Sequence, residues 1–135
     1  MTAPTAFLFF DGHCAEAMRH YERVLGGKLE QLVSESEAPG AAQGGKRIMF
    51  ASLLVNGGVL TGSDWMADRP YEKKQGFYVS LVYDSAAEVR RVYEALAEGG
   101  RINLPLQKTF FTEAFGMLVD RYGTPWMIRT APASG

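Results

Sequence analysis

The chain has a single cysteine, Cys14, among its 135 residues, so no internal disulfide can form and a reducing compartment is the expected setting. Neither sign of charge prevails: 14 Lys and Arg stand against 15 Asp and Glu, for a net charge of −1, and the basic residues are scattered. That distribution gives no electrostatic footprint for nucleic acid. No apolar run approaches the roughly 20 residues needed to cross a bilayer. Met1-Thr2-Ala3-Pro4 has no basic segment leading into a hydrophobic core, so no secretory signal is expected there. Also missing are G-x-G-x-x-G, a phosphate-loop motif and a G-x-S-x-G elbow. At 47% apolar and 21% charged, the composition is that of a soluble globular protein, and a cytoplasmic location is the reading. The length suits one domain, or two half-domains that share a core.

What is present is a repeat. Asp11 is followed 15 residues later by Gly26-Gly27, and Asp84 is followed 15 residues later by Gly99-Gly100. An apolar strand-like run precedes each Asp: Phe7 to Phe10, then Phe77 to Tyr83. A basic-apolar pair follows each glycine pair, Lys28-Leu29 and Arg101-Ile102. Two copies of one grammar imply internal duplication. A duplicated domain tends to place its site where the two copies meet.

Between Asp and Gly-Gly the apolar residues fall at helical spacing. Cys14, Ala17, Met18, Tyr21, Val24 and Leu25 predict a helix over about 14–25, with Glu16, Arg19, His20, Glu22 and Arg23 on the opposite face. Val89, Val92, Tyr93, Leu96 and Ala97 predict a second over about 86–98. The two stripes match at an offset of 72 rather than the 73 that separates Asp11 from Asp84, so one residue slips inside the repeat. Strand-like segments follow each helix: 29–33, 48–55 and 59–63, then 102–109, 116–120 and 125–130. Asn56-Gly57-Gly58 joins two of them as a hairpin. Asp120-Arg121-Tyr122-Gly123 has the Asp and Gly of a type I turn. Each half thus reads β-α-β-β-β. Ser34 to Lys46 is small, polar and Gly-rich, hence a mobile loop. Gly62 to Gln75 is the expected connector, and Ala131 to Gly135 a frayed tail.

The pattern resembles the vicinal-oxygen-chelate superfamily, which contains the glyoxalases, bleomycin-resistance proteins and extradiol dioxygenases, and is most similar to its PhnB-like branch. The carrying segments are Phe9 to Met18, Tyr21 with Gly26-Gly27, Gly62-Ser63-Asp64, Leu104 to Phe111, Phe115-Gly116 and Asp120 to Ile128. The resemblance spans about residues 5–130. It implies one glyoxalase-like domain over 1–135, of class α+β, with modules at about 5–66 and 74–131. Each module would be βαβββ, with curved mixed sheets around a cavity and the helices outside.

Enzymes of that superfamily hold a divalent metal with His and Glu at corresponding places in the modules. Carried over, those places are Thr5 or Ala6 on the opening strand, Tyr78 opening the second module, Met127 on the last strand, and Thr61 (or Ser63) as its first-module counterpart. None is His or Glu. Zinc takes imidazole, thiolate or carboxylate, and magnesium or manganese take carboxylates and water. No metal and no cofactor are therefore expected, nor glyoxalase or dioxygenase chemistry. Sequences of this branch are often labelled ubiquinone-pathway methyltransferases; here no strand leads through a Gly-rich turn into a helix N-terminus, so a nucleotide-like cofactor has no support.

His13, Glu16 and His20 share one side of the first helix, but it is the side away from the apolar stripe, which reads as a solvated face. Cys14 lies on the stripe and reads as a buried thiol. The candidate ligand-binding residues are Ser63, Asp64, Tyr78, Gln107, Thr109, Phe110, Met127 and Arg129. Strand alternation and the carried-over positions point them inward. Gln107 and Thr109 share a strand face; Met127 and Arg129 share the face opposite Trp126 and Ile128. Phe110, Phe111, Phe115 and Tyr78 supply aromatic area suited to planar or apolar ligands. The leading expectation is a metal-free homodimer that binds an unidentified small molecule. A metal-independent enzyme using Asp64, Tyr78 or Arg129 is the alternative. A metal-dependent lyase or oxygenase needs ligands that the carried-over positions do not supply.

Overall fold

The structure, a computed structural model, describes residues 3–37, 46–66 and 68–132. Its elements run β1 (Phe7–Phe10), α1 (Cys14–Leu25), β2 (Lys28–Ser34), β3 (Ile48–Val55), β4 (Gly58–Asp64), β5 (Val79–Tyr83), α2 (Ala86–Ala97), β6 (Arg101–Gln107), β7 (Phe115–Val119) and β8 (Pro125–Thr130). The chain divides between Glu72 and Lys73 into two compact units. Each unit is one βαβββ module, so the fold is α+β. The sheet orders are β1-β4-β3-β2 and β5-β8-β7-β6. In both, the opening strand pairs in parallel with the last, and the other neighbours are antiparallel.

The helices form where the apolar period is 3.6. In α1, Cys14, Ala17, Met18 and Tyr21 are completely buried, and the helix packs on β2, β3 and β4. In α2, Val89, Val92, Tyr93 and Leu96 do the same against β5 to β8. Burying side chains of this size stabilises by about 1.5–3 kcal/mol each, so the two stripes hold each helix to its sheet. The one-residue slip is real: α1 and α2 are both 12 residues long, and the link from β5 to α2 is a residue shorter than that from β1 to α1. The second glycine of each pair abuts the neighbouring backbone. A Cβ on Gly27 would strike the Leu54 carbonyl, and one on Gly100 the Val119 carbonyl. That close approach is what the repeated Gly-Gly provides.

The hairpins differ. Val55 pairs with Gly58 across a two-residue turn in which Asn56 and Gly57 both have positive φ, as a type I′ turn requires. Val119 pairs with Pro125 across a longer loop, where the Gly123 N–H donates to the Asp120 carbonyl, the i to i+3 bond of the expected turn.

Several boundaries move. β4 runs to Asp64, one residue past the expected strand over 59–63, so the connector starts after Asp64 and not at Gly62. β6 stops at Gln107 because Pro105 and two register irregularities loosen this edge strand, which places Thr109 in the following loop and not on a strand face beside Gln107. Phe77 and Tyr78 precede β5. Glu35–Glu37 is a single 3-10 turn; the rest of the expected mobile loop up to 45, and the tail from 133, lie outside the described residues.

Candidate functional site

Module 2 is a sheet with one helix-covered face and one open face. On β8, Trp126, Ile128 and Thr130 are buried beneath α2, while Met127 and Arg129 between them are half-buried on the other side. Cross-strand register orders the open face into rows. Gln107 pairs with Phe115, Phe115 with Arg129, and Arg129 with Val82. In the next row Leu104 pairs with Met117, Met117 with Met127, and Met127 with Ser80. Directly paired side chains leave the same face of a sheet. Gln107, Met127 and Arg129 are therefore brought together on one surface with Phe115, Met117 and Val82, and Val82 remains 43% exposed.

Tyr78 stands at the end of this face, 37% exposed, and its phenol oxygen accepts a hydrogen bond from Asn103 Nδ2 on β6 at 2.9 Å. It lines a cleft of about 230 Å³ with Phe77, Arg101, Val119 and Pro125. Thr109 and Phe110 lie beyond the opposite end. The Thr109 hydroxyl accepts from the backbone N–H groups of Phe111 (3.3 Å) and Thr112 (3.1 Å), so it shapes the loop. Phe110 is fully exposed and stacks edge-on against Phe111, which in turn meets Phe115; the centroid distances are 5.2 and 5.5 Å. This loop borders a cleft of about 880 Å³ that also reaches Asp84 and Thr130.

In module 1, Ser63 and Asp64 are successive residues of β4, so their side chains leave on opposite faces. Ser63 is in register with Phe9, and Asp64 with Phe10 on the helix side. Both carboxylate oxygens of Asp64 are engaged: one accepts from Cys14 N at the start of α1, the other from Ile48 N at the start of β3, each at 2.8 Å. The group is 3% exposed and acts as a clasp between helix and sheet. Ser63 is also buried, its hydroxyl donating to the Asp64 carbonyl at 3.1 Å. On the face of Ser63 and Thr61, Phe7, Phe9 and Phe50 form an aromatic cluster.

Register also fixes which positions correspond. Thr61 on β4 answers to Met127 on β8, and Ser63 to Arg129, because Asp64 and Thr130 end their strands opposite Phe10 and Tyr83. The Thr61 hydroxyl donates to the Ala6 carbonyl at 2.8 Å, and Met127 offers only a thioether. These side chains, with Tyr78, do not fit a divalent metal whose ligands are His and Glu. Among the described residues no three His, Cys, Asp or Glu side chains come together, His13, Glu16 and His20 included.

Two groups do more than their sequence pattern shows. Asp120 is buried and accepts from Tyr122 N, Thr124 N and Trp126 Nε1 at 2.8–3.0 Å, which seats the core indole. Its place at the head of a turn was a legible signal; its bond to Trp126 was not. Tyr83 and Tyr93 are the other. Burial raises both phenol pKa values above the usual 10; for Tyr83, Arg91 opposes this and Glu88 adds to it.

A family model described as the Glyoxalase/Bleomycin resistance protein/Dioxygenase superfamily matches residues 4–128. Protein YjdN of Escherichia coli (strain K12) is 32% identical over 136 residues, covering 90% of each chain. The crystal structure of protein PA1353 from Pseudomonas aeruginosa is 39% identical, with a TM-score of 0.91 over 96% of this chain and 98% of that one. The PhnB protein from Bacillus cereus, 24% identical, has a TM-score of 0.81 over 96% and 100%, a likeness of fold. A family model that spans nearly the whole chain, and a relative above 30% identity over most of both proteins, establish that the chain belongs to the glyoxalase/bleomycin resistance protein/dioxygenase superfamily.

Proposed function

We propose that this is a PhnB-like member of the superfamily that binds a small molecule without a metal, on the open face of module 2, and that it works as a homodimer in the cytoplasm. The observation that carries the reading is the makeup of that face. The positions carried over from the metal ligands of superfamily enzymes, Thr5 or Ala6, Thr61 (or Ser63), Tyr78 and Met127, supply no His or Glu, whereas the face around Met127 keeps exposed apolar area beside a few polar groups. Apolar walls with sparse polar groups are what small-molecule sites usually offer. Each four-stranded sheet ends in two edge strands, and this supports self-association, since unpaired edges need cover.

The test is a small-molecule screen by thermal shift, run beside a titration with zinc, nickel, iron and manganese. A ligand that binds the native state raises its stability, so a hit should shift the melting temperature saturably and the metals should not. Tyr78→Ala and Met127→Glu should each weaken the hit about tenfold or more, the first through lost packing and the second by placing a charge in an apolar wall. One tight metal equivalent per chain would sink the metal-free reading. Unchanged affinity in both variants, with circular dichroism intact, would place the binding surface elsewhere.

A further inference from the structure

Arg129 is a half-buried cation in apolar company. Its register partners are Phe115 and Val82, and Met127 shares its face two residues away on the same strand. Arg129 takes part in neither of the ion pairs Arg47–Glu35 and Arg90–Glu94, although Asp84 lies two positions beyond Val82. Partly removing a guanidinium from water without a counter-charge is unfavourable, and bidentate pairing with an oxyanion is its strongest remedy. The opposite edge of the same row ends in Gln107, an amide that can donate to the same oxyanion. The two are separated by the single strand that carries Phe115, so about 10 Å lies between their backbones. Both side chains are long enough to converge above the Phe115 ring. From that ring an aromatic ladder continues outward through Phe111 to Phe110. The corresponding position in module 1, Ser63, faces an aromatic cluster with no cation on its row.

We propose that the open face of module 2 selects planar, apolar molecules that carry an oxyanion, with Arg129 and Gln107 holding the oxyanion and Phe115 and Phe111 the body. This rests on the reading that the face binds small molecules, and it adds the ligand's charge. It also accounts for why a cation stands on a face otherwise suited to neutral ligands.

The experiment uses the intact protein and two fluorescent probes that share one skeleton. 1-Anilinonaphthalene-8-sulfonate is anionic; N-phenyl-1-naphthylamine lacks the sulfonate. Both should bind saturably, the anionic probe more tightly. Arg129→Gln should weaken the sulfonate about tenfold and the neutral amine less than about twofold, in keeping with a charge-assisted hydrogen bond. Gln107→Ala should weaken the sulfonate less than Arg129→Gln does. Arg90→Gln, which removes a cation from the solvent face of α2, should change neither. Circular dichroism and melting temperature report whether each variant is folded, and Arg129→Lys keeps the charge should Arg129→Gln fail to fold; it should retain part of the sulfonate preference. If both probes bind and Arg129→Gln affects them equally or not at all, the anion inference is overturned while the binding face stands. If neither probe binds saturably, the binding face falls and the inference with it.

Discussion

The two modules solve one mechanical problem in different ways. In each, the last strand must be tied to the loop that enters the third strand. In module 1 the tie is Asp64, which accepts from Ile48 N and, with its second oxygen, from Cys14 N at the start of α1. In module 2 the same strand position holds Thr130, whose hydroxyl accepts from Glu113 N at 3.1 Å and Ala114 N at 3.2 Å and bonds the Thr112 hydroxyl. A threonine has one oxygen and a shorter reach, so it leaves the helix unserved. The helix start in module 2 is instead capped locally: Ser85 Oγ accepts from Glu88 N at 3.2 Å, and Glu88 Oε1 lies 3.3 Å from that hydroxyl. His13 at the start of α1 makes no side-chain cap. One helix is fastened by a residue 50 positions away and the other by its neighbour. Duplicated structure preserves the need for a bond before it preserves the residue that makes it.

The largest effect that would sharpen this comparison concerns the two buried carboxylates. Asp120→Ala removes the acceptor of three buried hydrogen bonds and should cost about 4 kcal/mol, and Asp64→Ala removes the acceptor of two and should cost about 3 kcal/mol. Urea unfolding measures both. Equal and small losses would mean that water replaces the carboxylates and that the clasp is not a clasp.

A smaller effect separates the caps. Ser85→Ala should destabilise by about 1 kcal/mol and His13→Ala by well under half of that, since only the first removes a helix cap. A larger loss at His13 than at Ser85 would break the contrast.

The smallest effect sits where Phe10 of module 1 is matched by Tyr83 of module 2. Tyr83 is buried, and its hydroxyl has no hydrogen-bond partner among the described residues. Tyr83→Phe should be neutral or should stabilise by up to about 1 kcal/mol. It should also change the alkaline limb. The folded pKa of Tyr83 is raised, so the unfolded chain releases that proton first, near pH 10. The contribution is complete below pH 10 and is lost as the pH climbs through the folded value. Tyr93 adds to the same limb, so the variant should show a shallower but not a flat decline in stability above pH 10. An unchanged alkaline slope in denaturant melts from pH 8 to 11 would show that Tyr83 ionises as freely folded as unfolded.

Much of the frame was legible in the chain. Period 3.6 located α1 over its full length and α2 to within a residue, because apolar spacing is the same physics that seats a helix on a sheet. Asn56-Gly57 announced its hairpin through the positive φ that those residues accept. Alternation on β8 set Met127 and Arg129 against Trp126 and Ile128. The ends of strands were harder: β6 stops at Gln107 and β5 begins at Val79, because pairing with a neighbour decides where an edge strand ends.

The sequence by itself thus determined the duplication, the α+β class and the residues that give the open face of module 2 its character. Those properties follow from local geometry, which each short segment carries within itself. Only the tertiary structure decided that Asp64 is a clasp rather than a free carboxylate, that Asp120 seats Trp126, that Thr109 shapes a loop, and that Gln107 and Arg129 flank one phenylalanine. Each of these depends on pairing between segments distant in the chain, and hydrogen-bond partners chosen across such distances leave no period in the sequence to read.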